Sequence, residues 1–269
     1  IVGVGHRVVN GGEFFKDSAI ITKENLHEIY ELEDYAPLHN PAEGRGIEAF
    51  MNVLPNVPQV AVFDTTYHRA LDPVHYLYSL PYEYYEKYGV RKYGAHGTSH
   101  QFVAEKGAKF CGLDVNNSKI ITCHIGNGSS ITAIVNGKSV DTSMGFTPLD
   151  GLIMGTRCGC VDPNVIPYLM KKENLSCDEM TEIMNKKSGF LGITGVSSDA
   201  RDLDDLANSG DPKAKLALKM LTYGVIKYIG SYVAVMNGVD LIVFTGGIGE
   251  HNSRLRRRVC ENFSYLGLK

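Results

Sequence analysis

The sequence predicts an α/β fold. Short apolar runs of the kind found in buried strands occur at 60–63, 119–124 and 239–244. Between them lie longer stretches in which apolar residues recur with helical spacing. Because both patterns occur along the same chain, all-α and all-β folds are excluded.

The clearest helix begins near Asp211. This residue is suited to the N-cap and Pro212 to the first helical position, while Gly238 ends the pattern. The apolar residues at helical spacing are Leu216, Met220, Tyr223, Ile226, Ile229, Val233 and Met236. We therefore predict one long helix here, followed directly by the strand at 239–244.

Length and composition indicate an ordinary globular protein. The 269 residues suffice for one large or two modest domains, and 43% of them are hydrophobic. A formal net charge of −3 provides no basic field for nucleic acid or an anionic membrane. No apolar run approaches the roughly 20 residues of a membrane span, and no signal-peptide pattern opens the chain. We therefore expect neither a nucleic-acid nor a membrane partner.

The six cysteines are scattered along the chain, several of them inside apolar runs. This distribution indicates reduced thiols in a cytoplasmic protein rather than a disulfide framework. Cys158 and Cys160 are separated by one residue, a spacing that matches neither a zinc site nor a redox dithiol motif. We expect a cytoplasmic protein without a cysteine-bound metal.

The first glycine-rich segment, 123–130, connects a strand to a predicted hairpin. Gly126 and Gly128 allow backbone N–H groups to approach an anion, and phosphate is the natural guest. Asn136 and Gly137 favour a tight hairpin turn, since both tolerate positive φ. A plain strand turn explains the Gly-Asn-Gly sequence equally well, so both interpretations stay open.

The second glycine-rich segment, 245–250, follows the apolar run at 239–244. Its three glycines let a nucleotide lie against the main chain without Cβ clashes. We predict a ligand loop at the carboxyl end of a buried strand, with a plain strand-to-helix turn as the alternative. Neither a Walker motif nor the dinucleotide-binding glycine spacing is present, so P-loop and NAD-binding proteins are excluded.

Two histidine-containing segments are ambiguous. His96 and His100 accompany two hydroxyl residues at an expected helix start, where free N–H groups favour an anionic ligand. Thr98 or Ser99 would serve equally well as a simple N-cap. His39 lies in a proline-bounded segment, where it either contacts a ligand or only fixes the turn.

Three charged residues complete the set of candidates. Arg7 lies in an apolar strand, where a guanidinium needs a carboxylate or phosphate partner. Arg157 follows a turn-rich stretch suited to an anion clamp. Asp64 ends a strand, where α/β folds place ligand-facing groups, although a helix N-cap is the plain alternative. Arginines, histidines, a carboxylate and glycine loops are together the requirements of phosphoryl transfer with a nucleotide.

Six segments, in order along the chain, carry a resemblance to a known family. They are 5–9 (Gly-His-Arg-Val-Val), 36–41 (Ala-Pro-Leu-His-Asn-Pro), 63–65 (Phe-Asp-Thr), 96–100 (His-Gly-Thr-Ser-His), 141–148 (Asp-Thr-Ser-Met-Gly-Phe-Thr-Pro) and 246–250 (Gly-Gly-Ile-Gly-Glu). These segments resemble the signatures of the acetate kinases, and the similarity extends over all 269 residues.

The resemblance implies a two-domain ribonuclease H-like architecture, shared with actin, Hsp70 chaperones and sugar kinases, with mixed sheets flanked by helices. Residues 1–64 would be the remainder of an N-terminal acyl-substrate domain and 65–269 a truncated C-terminal nucleotide-binding domain. The chain opens without Met on a strand-like run, and the relatives' terminal segments with magnesium-linked residues are missing. We therefore expect a fragment without metal ligands of its own.

By resemblance, four residues are catalytic. Arg7 and Arg157 bind the carboxylate and the migrating phosphoryl group, His96 stabilises its equatorial oxygens, and Asp64 is the essential acidic group. A carboxylate substrate is already ionised at neutral pH, so no strong base is required. We expect Asp64 to align Arg7 or magnesium-bound water.

The resemblance also implies an acyl-binding site. Its residues are Arg7, Val9, Leu38, His39, Ala95 and Pro148. Many relatives carry a bulky aromatic residue where Ala95 stands, and the smaller side chain would admit one more methylene, a difference worth about 1–3 kcal/mol in such a pocket. Propionate is therefore an alternative substrate.

The nucleotide site implied by the resemblance binds ATP or ADP together with Mg²⁺. It comprises His124, Ile125, Gly126, Asn127, Gly128, Asp199, Ala200, Arg201, Gly247, Ile248, Gly249, Glu250 and His251. Relatives usually have Asn at the position of His251, which puts one adenine contact in question.

The expected activity is that of an acetate kinase, transferring the phosphoryl group of ATP directly to acetate. The alternatives are a propionate or other short-chain acyl kinase, a catalytically inactive nucleotide-binding fragment, and a kinase that uses pyrophosphate. By resemblance we expect a homodimer.

Overall fold

The computed structural model describes residues 1–268, and they divide into two compact units. The first comprises Ile1–Lys119 and Thr132–Pro148, and the second comprises Ile120–Ile131 and 149–268. These units are defined by compactness and do not follow the predicted domains. The domain boundary at Asp64 stays a prediction.

Both strands and helices occur along the chain, as the α/β prediction requires. The strands are β1 (Val4–Val8), β2 (Ala19–Ile21), β3 (Gln59–Phe63), β4 (Lys119–Ile125), β5 (Ser129–Val135), β6 (Lys138–Thr142) and β7 (Leu241–Thr245). The helices are α1 (Leu26–Glu31), α2 (Asn40–Val53), α3 (Pro73–Tyr76), α4 (Glu83–Tyr88), α5 (Gly97–Phe110), α6 (Val165–Glu173), α7 (Cys177–Lys186), α8 (Gly189–Thr194), α9 (Ala200–Asn208), α10 (Pro212–Met236), α11 (Gly246–His251) and α12 (Ser253–Cys260). Short 3₁₀ turns cover Glu33–Tyr35, Thr66–Ala70, Val115–Asn117 and Glu261–Leu266.

A three-stranded mixed sheet organises the first unit. Its order is β1-β3-β2, with β1 parallel and β2 antiparallel to β3. The apolar side chains of this unit pack into one core around the sheet, where the rings of Phe15 and Phe63 stack at 4.5 Å between centroids. The parallel register places Arg7 beside Val62 and Val8 beside Phe63, so both strands end at the same edge.

The predicted hairpin is present between β5 and β6. Within the first unit, Ala133 pairs with Asp141 and Val135 with Lys138 in antiparallel register. Asn136 and Gly137 both have positive φ, 51° and 76°, as a tight hairpin turn requires. The turn chemistry of this dipeptide therefore predicted the connection correctly.

In the second unit, β4 and β7 form a parallel pair that leads into the candidate site. The register runs from Ile120 opposite Leu241 to His124 opposite Thr245. Since parallel strands present their carboxyl ends at one edge, the segments that follow β4 and β7 start side by side.

The long helix α10 begins at Pro212 as predicted, with the Asp211 side chain accepting from the N–H of Ala214. It ends at Met236, because Asn237 takes the left-handed conformation of the C-cap immediately before Gly238. Its buried face is formed by Ala214, Ala217, Leu221, Val225, Ile229, Tyr232 and Met236. Of the predicted apolar positions, only Ile229 and Met236 belong to that face, because the face begins at two alanines, Ala214 and Ala217, and is therefore rotated away from Leu216, Met220 and Tyr223.

Two further expectations concern the cysteines and membrane spans. All six cysteines carry free thiols. Within residues 1–268, no helix is both long enough and apolar enough to cross a membrane.

Candidate active site

The first cluster of candidate residues lies where β1 and β3 end. Asp64 directly follows β3, and its backbone N–H donates to the carbonyl of Val8 at 2.9 Å. This extends the parallel pairing by one residue and turns the Asp64 side chain towards Arg7. The guanidinium Nε donates to the two carboxylate oxygens at 3.1 and 3.2 Å, and Nη2 donates to Oδ2 at 2.6 Å. The N-cap alternative for Asp64 is wrong, because the turn that follows, Thr66–Ala70, has Thr65 as its N-cap residue.

Burial is unequal within this ion pair. The Asp64 side chain is 2% exposed, whereas that of Arg7 is 61% exposed. The hydrogen bonds from Arg7 to Asp64 raise the pKa of the guanidinium, with burial acting in the opposite direction. Arg7 is thus a fixed, permanent cation with one side held by protein and the other available to an anion.

Glu43 supports the same strand end from α2. Its Oε2 accepts from the N–H of Val9 at 2.9 Å. Burial raises the pKa of Glu43, and the Val9 hydrogen bond and the charge of Arg7 oppose that rise. Sequence reasoning missed Glu43. The signal that could have found it is an acidic residue in the first turn of α2, three residues after Asn40.

His96 lies at the start of α5 and has the left-handed backbone conformation, with φ 57° and ψ 20°. Its N–H donates to Oδ2 of Asp64 at 3.3 Å, and the N–H of Gly97 donates to the Asp64 carbonyl at 2.9 Å. The residue that caps α5 is therefore His96. The alternative in which Thr98 or Ser99 serves as N-cap is wrong, because both lie inside the helix.

Glycine is required immediately after His96. A Cβ on Gly97 would collide with the carbonyl oxygen of Asp64 and approach the Cβ of Tyr67 to 2.9 Å. The helix start thus packs directly on the end of β3. The structure brings Arg7, Asp64 and the backbone of His96 into one cluster within the first unit.

The predicted acyl-binding residues also belong to the first unit. Val9, Ala95 and Pro148 are buried, whereas Leu38 is 40% exposed. His39 is the N-cap residue of α2, and its carbonyl accepts from the N–H groups of Ala42 and Glu43. The turn-fixing interpretation of His39 is therefore supported, and its role towards a ligand stays a prediction.

The two glycine-rich segments leave the carboxyl ends of β4 and β7, whose last paired residues are His124 and Thr245. Gly246 has a φ of 78°, and a Cβ there would lie 2.7 Å from the carbonyl oxygen of Ile125. The second segment was predicted as a loop, and this is wrong, because Gly246–His251 forms the short helix α11. The glycine at its first position allows the strand to turn into a helix at once, which is the alternative that the sequence left open.

A cavity of about 820 Å³ lies in the second unit between these segments and α9. Eight predicted nucleotide-binding residues line it: Gly126, Asn127, Asp199, Ala200, Arg201, Gly247, Ile248 and His251. The other five, His124, Ile125, Gly128, Gly249 and Glu250, are not among its lining residues. Thr245 Oγ1 donates to Glu250 Oε1 at 3.2 Å, so that side chain is engaged with the end of β7.

Several lining residues were missed by sequence reasoning. They are Phe190, Ser198, Asp204, Asn208, Asn252, Ser253 and Arg254. Asp204 and Asn208 follow Ala200 by four and eight residues on α9, so helical periodicity places all three on one face. That spacing is the signal that would have found them.

Asp199 shapes the wall of the cavity. Its carboxylate caps α9 by accepting from the N–H of Arg201 at 2.9 Å and pairs with the guanidinium of Arg201 through Nη2 at 2.6 Å. These hydrogen bonds lower the pKa of Asp199 to about 2. The guanidinium is mostly exposed and lies against the cavity, where it is a candidate for contacting an anionic or polar ligand.

Asn252, the neighbour of His251, is held by contacts within the protein. The side chain of Asn252 caps α12 by accepting from the N–H of Leu255 at 2.9 Å, and its Nδ2 donates to Asp204 at 2.8 Å. Asn252 is thus committed to the protein through both ends of its amide. His251 itself is one of the residues that line the cavity.

Arg157 lies close to the first glycine-rich segment in the second unit. In the same turn, the N–H of Gly155 donates to the Asn127 carbonyl at 3.3 Å, and a Cβ on Gly155 would collide with the side chain of Asn127. Arg157 Nη1 lies 3.7 Å from the sulfur of Met154, and burial lowers the pKa of Arg157. The predicted anion clamp is therefore adjacent to the segment predicted to bind phosphate.

Among residues 1–268, no group of three or more His, Cys, Asp or Glu side chains is arranged to hold a metal ion. A magnesium ion carried by phosphates needs only one or two carboxylates from the protein.

Comparison with known proteins covers the entire chain. A model of the acetokinase family matches residues 1–269. The acetate kinase of Lachnoclostridium phytofermentans is 56% identical over 268 residues, covering 100% of this chain and 68% of that protein. The crystal structure of Porphyromonas gingivalis acetate kinase matches with a TM-score of 0.92 and 48% identity, over 99% of this chain and 67% of that one. A propionate kinase from Francisella tularensis matches with a TM-score of 0.94 and 46% identity, over 99% of this chain and 68% of that one. These likenesses confirm the predicted architecture, and the chain spans about two thirds of the length of these relatives.

Proposed function

The chain belongs to the acetokinase family, and we propose that it catalyses reversible phosphoryl transfer from ATP to acetate, forming acetyl phosphate and ADP. It is accordingly a kinase with a carboxyl group as acceptor. The observation that carries this proposal is the Arg7–Asp64 pair, in which a buried carboxylate fixes a half-exposed guanidinium beside the start of α5.

Arg7 would bind the anionic substrates. Asp64 occupies Nε and one hydrogen of Nη2, which leaves the N–H groups on the exposed side for a carboxylate or phosphoryl oxygen. Acetate is ionised at neutral pH and is itself the nucleophile, so Asp64 need not remove a proton. Its role is to hold Arg7 in one orientation, which lowers the entropy cost of aligning the reactants.

His96 and Arg157 would stabilise the transferring group. Phosphoryl transfer spreads negative charge over the equatorial oxygens of the migrating group, and fixed cationic or N–H donors lower its energy. We propose that these two side chains supply such donors during in-line transfer. Each would act by charge and hydrogen bonding rather than by proton transfer.

The cavity of the second unit would hold ATP or ADP. Its glycines at 126 and 247 leave the backbone open to a ligand, and nothing lies within 4 Å of a Cβ position on Gly247. Asp199, Ala200 and Arg201 would contact the adenosine, and the segment at 124–128 the phosphates. The predicted residues at 249 and 250 would act by supporting α11.

Mg²⁺ is the cofactor that we propose to accompany the nucleotide. A magnesium ion held mainly by phosphates needs few protein ligands, which fits the residues present. Asp64 would orient water bound to the metal through its carboxylate. When bound, the ion would neutralise part of the charge that develops on the phosphates.

A second candidate substrate is propionate. The small side chain of Ala95 favours it, since an aromatic residue at this position would take up space that a longer acyl chain needs. The similar propionate kinase of known structure is consistent with such a pocket. The ratio of kcat/KM for acetate and propionate decides between the two.

We also propose that the protein is a cytoplasmic homodimer. The six free thiols fit a reducing compartment. Leu216, Met220 and Tyr223 recur at helical spacing on the exposed side of α10, which is the pattern of a face that packs against a partner. Sedimentation of the protein over a range of concentrations tests the dimer.

The proposed activity is tested by trapping. The protein is incubated with Mg-ATP, acetate or propionate, and hydroxylamine, which converts an acyl phosphate to a hydroxamate that is detected as its coloured iron(III) complex. We expect ATP-dependent product with a short-chain carboxylate and much less product when Arg7→Ala is used. A protein that binds ATP but yields no product with any short-chain acid would support the inactive nucleotide-binding alternative.

A further inference from the structure

His68 is a buried histidine that the catalytic roles above leave unused. It lies in the 3₁₀ turn Thr66–Ala70, directly after β3, and is 1% exposed. Both ring nitrogens are engaged, Nδ1 with the hydroxyl of Ser139 at 2.8 Å and Nε2 with the carbonyl of Ala95 at 2.9 Å. A buried polar ring satisfied at both nitrogens has a defined orientation.

The partners determine which nitrogen carries the proton. A carbonyl oxygen only accepts, so Nε2 must be the protonated nitrogen and donate to Ala95. In the neutral ring Nδ1 then accepts, and the hydroxyl of Ser139 donates to it. Burial lowers the pKa of His68 to about 4, so the ring is neutral at neutral pH. The charges nearest to the ring are those of Asp64, Lys92 and Asp141, and the ring of His100 is 5.9 Å away.

The carbonyl of Ala95 and the N–H of His96 belong to one peptide group. His68 donates to its carbonyl end at 2.9 Å, and Asp64 accepts from its N–H end at 3.3 Å. The plane of this peptide, and therefore the start of the His96 side chain, is held from two sides. One of the two holding residues is the same Asp64 that orients Arg7.

The conformation at His96 makes such support necessary. A positive φ is uncommon for a residue with a side chain, and His96 would relax to a more favourable conformation without fixed neighbours. Gly94 also has a positive φ, 74°, and a Cβ there would lie 2.7 Å from Cδ2 of His68. The imidazole therefore packs against the main chain at Gly94 as well as bonding to it at Ala95.

We propose that His68 is a positioning residue, which fixes the peptide between Ala95 and His96 so that the His96 side chain is presented to the transferring phosphoryl group. The proposal rests on the proposed function. Ser139 on β6 takes part by fixing the protonation pattern of the ring. His68 acts through His96 and does not itself contact a substrate.

Two matched substitutions separate this role from simple packing. In His68→Gln the amide nitrogen is near the position of Nε2 and can still donate to Ala95. In His68→Asn the shorter side chain reaches only towards Ser139. We expect His68→Asn to lower kcat by about 10- to 100-fold, as for a misplaced catalytic group, with KM for ATP unchanged, and His68→Gln to retain most of kcat. Folded variants with equal kcat, whether both are intact or both impaired, would overturn the proposal.

A second readout does not depend on activity. The backbone amide signal of His96 in ¹⁵N-labelled protein should shift in His68→Asn and stay near its original position in His68→Gln. An unmoved His96 signal in folded His68→Asn would overturn the positioning role even if the enzyme is active. Absence of acyl phosphate from the unaltered protein would instead overturn the proposed function, while the His96 signal would still report on the positioning of the peptide.

The unaltered protein supplies the decisive measurement where a variant does not fold. Nitrogen NMR of histidine-labelled protein distinguishes the two neutral forms of the ring. We expect His68 to be protonated at Nε2. A ring protonated at Nδ1 could not donate to Ala95, and this result would overturn the proposal.

Discussion

Asp64 binds Arg7 with both carboxylate oxygens and also accepts from the N–H of His96 with one of them. A single buried carboxylate thus links two residues that are 89 positions apart in the chain and that the proposed mechanism places on the same substrate. The arrangement explains how an acidic residue can be essential in a reaction that needs no general base.

Replacing Asp64 by asparagine should disable the enzyme without removing the side-chain volume. The neutral amide of the Asp64→Asn variant cannot hold the guanidinium with two charged oxygens, so Arg7 would sample several orientations. We expect this variant to lose about 100-fold or more in kcat/KM for the carboxylate, the scale of a misplaced binding group. Steady-state kinetics with both substrates varied give this value.

A surface ion pair provides the control for that variant. Glu83 and Lys87 on α4 pair at 3.2 Å with both side chains more than half exposed. The Glu83→Gln variant should change stability by less than about 0.5 kcal/mol and leave kcat/KM unaltered. Equal kinetic effects of the two substitutions would contradict the special role of Asp64.

Enlarging Ala95 should shift the preference between acyl substrates. The Ala95→Val variant adds two methyl groups to a buried side chain, and a single methylene in such a pocket is worth about 1–3 kcal/mol. We expect the ratio of kcat/KM for acetate over propionate to rise about tenfold or more. Ala42→Val, at an exposed position of α2, should leave the ratio unchanged. An unchanged ratio in Ala95→Val would mean that this side chain does not border the acyl group.

Restoring the relatives' residue at position 251 should strengthen nucleotide binding. His251 lines the cavity of the second unit, at a position where the family resemblance implies asparagine. If one hydrogen bond to the base is regained, KM for ATP in His251→Asn should fall about 2- to 10-fold, the worth of a typical hydrogen bond, with little change in kcat. His27→Asn makes the same substitution at an exposed site of the first unit and should have no effect on KM. A rise of KM in His251→Asn would show that the histidine itself contacts the nucleotide.

The stability of the protein should decline in mild acid because of His68. Burial is the largest cause of the lowering of its pKa from 6.5 to about 4; Lys92 adds to the lowering, and the Ala95 hydrogen bond, Asp64 and Asp141 oppose it. The unfolded chain therefore binds a proton at His68 more readily than the folded chain does. The free energy of unfolding is unaffected by this difference above about pH 6.5, and it falls as pH drops towards about 4, by at most about 3 kcal/mol.

Urea unfolding at about pH 7 and about pH 4.5 measures this effect as the difference in free energy of unfolding. The difference should be smaller in His68→Gln than in the unaltered protein, because glutamine does not titrate. Identical pH dependence in the two proteins would contradict the assignment.

Two glycine-to-alanine substitutions should have opposite effects. A Cβ at Gly97 would collide with the Asp64 carbonyl, so Gly97→Ala should destabilise the protein by about 1–3 kcal/mol or more and displace His96. Gly46 lies exposed inside α2 with open space around its Cβ position, and Gly46→Ala should stabilise by up to about 1 kcal/mol. Urea unfolding of both variants provides the comparison.

The elements that local chemistry determines could be predicted from the sequence. Asn136 and Gly137 specify a turn that only positive φ allows, and Asp211 with Pro212 specifies a helix start. Apolar runs located β3, β4 and β7 to within a few residues because buried strands need little more than continuous apolar character. The hairpin turn, the helix start and these strands all depend on residues that are adjacent in the sequence.

Features that depend on residues distant in the chain could not be predicted from the sequence. The left-handed backbone at His96 has no local signal, because the peptide before it contacts Asp64 and His68, which lie 32 and 28 residues earlier in the chain. The buried face of α10 is lined partly by Ala214 and Ala217, whose size suits a close helix contact that periodicity of large residues does not reveal. The segment after β7 was predicted as a ligand loop from its glycines, whereas it forms α11, in which Gly246 lies too close to the carbonyl of Ile125 for a side chain.

The central claim is that an oxygen of the carboxylate is the nucleophile that attacks the phosphorus of the group transferred from ATP. It is tested by supplying acetate labelled with ¹⁸O in its carboxylate and observing the acyl phosphate by ³¹P NMR. We predict that the oxygen bridging carbon and phosphorus carries ¹⁸O, seen as an isotope shift of the acetyl phosphate signal. Acetyl phosphate with an unlabelled bridging oxygen, or ATP consumption that yields only inorganic phosphate, would contradict the account.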